Sequence, residues 1–131
     1  MNENHRRAIT CFLRNVEKRL NDERYKITNH VGGELYILND DFTPHEKRMT
    51  LDLITALMEE IRLTKNTFGL ESVETNLRGE VAATLSEAWV TLGGLRPENL
   101  VGYGKLEGDD ETRLNQCYMR FLEVFRDYFS E

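Results

Sequence analysis

The stretch TPHEKRMTLDLITALMEEIRLTKN, residues 43–66, carries the clearest helix signal in the chain. Thr43 can cap a helix, Pro44 suits its first position, and Glu46 stands where a capping box needs a carboxylate. Apolar residues then recur at helical spacing on one main stripe, made of Leu51, Ile54, Leu57, Met58 and Ile61. Leu53 and Leu63 lie off this stripe, so we expect a helix that is buried on two sides.

Three further stretches show the same amphipathic pattern. Residues 5–24 predict a first helix with a stripe of Ile9, Phe12, Leu13, Val16 and Leu20. A third helix is expected over about 73–92, ended by Gly93-Gly94, and a fourth should begin near Asp109 or Asp110. The fourth has the widest apolar face: Leu114, Cys117, Tyr118, Phe121, Leu122, Phe125, Tyr128 and Phe129. Four such helices in 131 residues predict one all-α domain, a four-helix bundle with two long connections over residues 1–131.

The first long connection breaks the helical period. In YKITNHVGGELYILNDDF, residues 25–42, β-branched and aromatic residues flank NHVGG, which can turn. The pattern is compatible with a short β-hairpin. Since a lone hairpin is marginal in water, this one would have to pack on the helices.

The second long connection, GGLRPENLVGYGKLEGDDE at residues 93–111, is rich in glycine but also apolar. It holds Leu95, Leu100, Val101, Tyr103 and Leu106, which a solvated linker does not need. We expect these side chains to fold back as a cover over the bundle. The alternative is a binding surface, with Arg96 and Tyr103 as contact residues because both types are enriched at interface hot spots.

The charge of the chain disfavours polyanionic partners. The formal net charge is −6, whereas a nucleic-acid binder normally has a basic excess. Residues 1–26 carry seven Lys/Arg against four Asp/Glu, and the remainder carries ten against nineteen. The basic first helix could contact an acidic patch of its own chain or of a partner, including Glu107, Asp109, Asp110 and Glu111; the alternative is ordinary surface charge.

Catalytic and metal-site patterns are scarce. A carboxylate-bridged di-metal bundle needs Glu-x-x-His on two helices, and this sequence has none, so we expect no metal and no cofactor. Glu80 and Glu87 share a face of the third helix, which is typical of a solvated surface. Cys11 and Cys117 lie in no nucleophile motif and cannot form a disulfide framework. No run approaches the roughly 20 apolar residues that span a bilayer, so no membrane association and a cytoplasmic setting are expected.

These observations favour a non-enzymatic helical interaction or regulatory module. Leu53 and Leu63 on the second helix predict self-association as a homodimer. The alternative is a small-molecule-binding bundle, enzymatic or not, with an aromatic pocket among Trp89, Tyr103, Tyr118 and Phe121. The predicted binding residues are Arg96, Tyr103, Trp89 and Tyr118.

Overall fold

The computed structural model describes the backbone of residues 1–129 and the side chains of residues 1–127. Its elements are α1 (Glu3–Asn29), α2 (Pro44–Phe68), α3 (Leu77–Leu92) and α4 (Asp110–Phe129), with three single-turn 3-10 helices between α3 and α4 (Gly93–Leu95, Pro97–Asn99 and Val101–Tyr103). No strand occurs within residues 1–129, so the all-α class is confirmed. The chain divides into two compact units, Met1–Val73 and Glu74–Glu131, called unit 1 and unit 2 below. The single bundle domain stays a prediction.

The β-hairpin predicted for residues 25–42 is not found in the described chain. Residues 25–29 instead continue α1, where the Thr28 hydroxyl donates to the Arg24 carbonyl oxygen at 2.9 Å and Lys26 pairs with Glu23 at 3.0 Å. The helix ends at His30, whose φ of 50° is left-handed. Beyond it, the Gly33 N–H donates to the Tyr36 carbonyl oxygen at 2.9 Å, which makes a local turn without a strand ladder. Helical hydrogen bonds already within reach therefore prevail over the β-propensity of YKIT.

Helix α2 begins as the sequence predicts. The Thr43 hydroxyl accepts a hydrogen bond from the Glu46 N–H at 3.1 Å, and the Glu46 carboxylate accepts one from the Thr43 N–H at 3.4 Å. This capping box satisfies two backbone donors that a helix start leaves free. The helix ends at Gly69, whose φ of 63° is left-handed, and the Leu70 N–H then donates to the Lys65 carbonyl oxygen at 2.9 Å. The chain therefore folds back sharply after α2.

Unit 1 is an antiparallel pair of helices with a small core. The Arg6 Nε donates to the Phe68 carbonyl oxygen at 3.3 Å, which joins the start of α1 to the end of α2. At the other end, His30 Nε2 lies 3.2 Å from Lys47 Nζ. Ile54 and Leu70 are the buried residues, and half-buried apolar side chains surround them: Ile9, Leu13, Leu20, Ile27, Leu51, Met58 and Ile61. The two helices are thus joined by a thin apolar seam.

Unit 2 packs α3, the 3-10 turns and α4 together. Helix α3 starts at Leu77 rather than near Val73, because Asn76 is extended and gives no side-chain cap, and β-branched Val73 and Thr75 are poor helix formers. Helix α4 starts at Asp110, as expected. Its face against the rest of the unit holds half-buried Leu114, Cys117, Tyr118, Leu122 and Phe125. Phe121 is more exposed, and the predicted contributions of Tyr128 and Phe129 lie outside the described side chains.

Candidate functional site

The segment after α3 is only partly the cover that its sequence predicts. Leu95, Leu100 and Leu106 are half-buried, but Val101 is exposed and Tyr103 is 90 % exposed. The expectation that Tyr103 packs into the structure is therefore wrong. The reason lies in the layering of the 3-10 turns, because the first two contact α4 whereas the third stacks on the second. The outer turn holds its side chains away from the apolar face of α4.

Two of the predicted binding residues come together in unit 2. Arg96 forms an ion pair with Glu98, with Nη2 2.8 Å from Oε1, and its Nε donates to the same oxygen at 3.0 Å. The pKa of Arg96 is raised above its ordinary value, mainly by this hydrogen bond to Glu98, and the Tyr118 hydroxyl contributes. Arg96 and Tyr118 therefore share one polar cluster. Because the Arg96 guanidinium is already paired with Glu98, this cluster is better suited to holding the segment in place than to binding a free anion.

Trp89 and Tyr103 belong to other surroundings within the unit. The Trp89 ring meets the Phe125 ring edge-on, with centroids 5.2 Å apart and an angle of 89° between the planes. That geometry is a favourable aromatic pairing and ties α3 to α4. Tyr103, being almost fully exposed, lines no enclosed pocket. The structure thus gives Trp89 a packing partner and leaves Tyr103 as a free surface contact.

An apolar strip on unit 1 is the clearest candidate site. It consists of Phe12 and Val16 of α1 and Met49, Leu53 and Leu57 of α2, all of them exposed. Phe12 is 67 % exposed, Met49 60 % and Leu53 58 %. Members on each helix are four residues apart, which places them one above the other on a single helix face. Such a contiguous run of large exposed apolar side chains marks an interaction surface far more often than scattered single residues do.

Both halves of the strip lie on one side of the helix pair. Phe12 precedes inward-facing Leu13 by one residue, and Leu53 precedes buried Ile54 by one residue, so each lies about 100° before its neighbour around the helix axis. Viewed from one end of the pair, successive residues rotate counterclockwise around one helix and clockwise around its antiparallel partner. The inward directions of the two helices are also opposite, because each helix faces the other. The same offset therefore turns Phe12 and Leu53 to the same side, and the strip is one surface.

The sequence pattern indicates one of the five residues of this surface. Leu53 lies off the main stripe of α2, and the structure leaves both Leu53 and Leu63 exposed. The prediction that Phe12, Val16 and Leu57 belong to inward stripes is wrong, because all three are exposed. The five apolar residues of α1 span about 100° around its axis, and the position of Phe12 and Val16 at one edge of that stripe is the available signal.

Residues with metal-ligand or nucleophilic chemistry are dispersed. In the part of the chain with described side chains, no three His, Cys, Asp or Glu residues are grouped closely enough to hold a metal ion. Cys11 is exposed and Cys117 half-buried, and each thiol lies near an arginine of its own helix: Arg14 at 4.0 Å and Arg120 at 3.2 Å.

None of the helices within residues 1–129 is long and apolar enough to cross a membrane.

Comparison with known proteins adds no relative: no protein-family model, no curated protein and no solved structure matches this chain.

Proposed function

We propose that this protein is a self-associating helical interaction module, which forms a homodimer by pairing the apolar strips of two copies. The observation that carries the proposal is the exposure of the strip, in which Leu53 is 58 % exposed. Because each strip is apolar and uncharged, two copies related by a two-fold axis present matching surfaces to each other. A partner rich in charge would gain little from such a face.

The alternative, a small-molecule site among the aromatic residues of unit 2, has weaker support. Tyr103 is exposed, and Trp89 packs edge-on against Phe125. A ligand pocket usually encloses most of its ligand with convergent walls. These positions therefore favour the interaction module over an aromatic pocket.

Light scattering on the full chain tests the proposal. At micromolar concentration we expect twice the chain mass of 15.3 kDa. Leu53→Glu should yield a monomer with an unchanged circular dichroism spectrum, because the interface would have to bury an unpaired carboxylate. The matched control is Leu35→Glu, in the exposed loop after α1, which should remain dimeric.

Two outcomes would contradict a homodimer that pairs through the apolar strip. A wild-type chain that is monomeric at these concentrations contradicts the homodimer. A dimer that survives Leu53→Glu but is lost with Leu63→Glu places the interface on another face of α2, since the ten-residue separation puts these leucines about 80° apart around the axis.

A further inference from the structure

Unit 1 has a second surface on the side away from the apolar strip. Arg14 follows Phe12 by two residues, so it lies about 200° around α1 from it. Here α1 and the segment after α2 border two adjoining hollows of about 690 Å³ and 160 Å³, called the polar cleft below. Arg14, Thr10 and Ser72 line both hollows. The larger volume falls in the range of small-molecule sites, about 300–1,000 Å³.

Arg14 is the unusual residue of the cleft. Its Nε is shielded from solvent and has no hydrogen-bond partner among the described residues. The contact that its guanidinium does make, from Nη2 to the Cys11 Sγ, is long at 4.0 Å. By contrast, Arg62 and Arg96 are each paired with a glutamate. Since shielded polar groups in folded proteins nearly always have a partner, this guanidinium is poorly satisfied by the protein. The Nε itself has no accessible surface, so a ligand in the cleft would meet the outer guanidinium nitrogens, Nη1 and Nη2.

Lys65 and Ser72 line the smaller hollow together with Arg14 and add further donors to it. The Lys65 Nζ donates to the Ser72 Oγ at 2.9 Å, which leaves the hydroxyl hydrogen of Ser72 free to donate in turn. Lys65 has no carboxylate partner within the described part of the chain. A guanidinium fork next to an ammonium and a hydroxyl is an arrangement that recognises a planar oxyanion.

The charge and the walls of the cleft restrict its ligand. Four cations line the two hollows, Arg6, Arg7, Arg14 and Lys65, against three carboxylates, Glu3, Glu17 and Glu71. The local excess is one positive charge, which suits a monoanion better than a phosphate ester carrying nearly two negative charges. Phe68, Leu70 and Val73 supply an apolar wall. We infer that the polar cleft binds a small monocarboxylate with an apolar body, its carboxylate held by Arg14.

Amide chemical-shift titration of the full chain tests this inference, with benzoate as the probe and methyl benzoate as its neutral counterpart. Benzoate should shift the amides of residues 10–14 and 70–73, and methyl benzoate should not. Arg14→Ala should weaken benzoate binding by about tenfold to a hundredfold, the usual effect of removing a charge-assisted hydrogen bond. Arg14→Lys keeps the positive charge but loses the planar guanidinium fork, so its benzoate affinity should lie between those of the wild type and Arg14→Ala.

Two more variants serve as a test of sign and as a charge-matched control. Glu71→Gln removes from the wall of the cleft a negative charge that repels the benzoate anion, and it should tighten benzoate binding by a few-fold. Arg62→Ala makes the same change in net charge as Arg14→Ala, but Arg62 pairs with Glu59 and should leave binding unchanged. A benzoate affinity that is unchanged in both Arg14 variants, or the absence of shifts at residues 10–14 in the wild type, would overturn the site. Tighter binding of phenyl phosphate than of benzoate would overturn the monocarboxylate class.

Discussion

Ile54 is the best-protected side chain of unit 1, with 4 % of its surface exposed. It lies at the centre of the inward face of α2, where α1 covers it from across the seam. Around it the neighbours are only half-buried. One residue therefore contributes an unusually large share of the core of this unit.

Truncation of Ile54 should consequently be costly. We expect Ile54→Ala to lower the free energy of unfolding by about 3 kcal/mol, through the loss of buried methyl groups and the cavity left behind. Chemical denaturation followed by circular dichroism measures this. Leu35→Ala is the control, because Leu35 is 99 % exposed and its truncation should change stability by less than about 0.5 kcal/mol. Equal effects of the two changes would show that Ile54 is not the core residue.

Tyr103 gives the opposite expectation. Because its ring is exposed, Tyr103→Ala should leave the free energy of unfolding within about 0.5 kcal/mol of wild type, as measured by chemical denaturation. Leu100→Ala, three residues before it and half-buried, should cost distinctly more. A large loss of stability in Tyr103→Ala would restore the cover interpretation of this residue.

At the scale of elements, the connection from α1 to α2 is tethered by charge rather than by a strand pair. Asp40 pairs with Lys47 in the first turns of α2, and His30 Nε2 lies 3.3 Å from the same carboxylate oxygen. The pKa of Asp40 is lowered below its ordinary value of 3.8, chiefly by the hydrogen bond from Lys47. The ionised form of Asp40 is thus the one that holds the loop to the helix.

The sign of the pH dependence follows from that shift. A carboxyl whose pKa is lowered in the folded state contributes stability above pH 3.8, and the contribution disappears as the pH falls through the lowered pKa. Asp40→Asn should therefore be less stable than wild type at pH 7, and the two thermal midpoints should converge at acid pH. Asp41→Asn, next to it in the same loop, is the control. A gap between wild type and Asp40→Asn that stays constant from pH 7 down to pH 2 would contradict the tether, because the unfolded chain takes up a proton at Asp40 near pH 3.8 and the contribution must shrink below that pH.

Helix positions were predictable, whereas the surroundings of their side chains were not. The start of α2 follows from Thr43, Pro44 and Glu46 alone, because a capping box involves only residues within one turn. The secondary structure of YKIT, residues 25–28, could not be predicted in the same way. It is helical because α1 extends as far as His30 and its local hydrogen bonds prevail over the β-propensity of these residues. The sequence does not indicate the polar cleft, because Arg14 and Ser72 are far apart along the chain and only the fold after Gly69 brings them to one hollow.

At the scale of the whole molecule, self-association should be coupled to stability. If the strips pair only in folded chains, mass action stabilises the folded state as the protein concentration rises. The thermal midpoint of the wild type should therefore increase with concentration, as measured by calorimetry over a dilution series. Leu53→Glu should show a midpoint independent of concentration. A wild-type midpoint that does not move on dilution would mean that folding and association are separate events.

The loop after α1 has a further consequence, which concerns aggregation. In ELYIL, residues 34–38, Leu35 and Ile37 are almost fully exposed, and the segment has the β-propensity that made it resemble a strand. Short segments of this kind nucleate intermolecular cross-β structure when nothing covers them. Glu34 begins this segment and Asp40 and Asp41 follow it as charged gatekeepers, and the repulsion of these carboxylates between copies opposes stacking. Storage at acid pH neutralises these carboxylates, so it is there that fibrils growing from this loop should be sought.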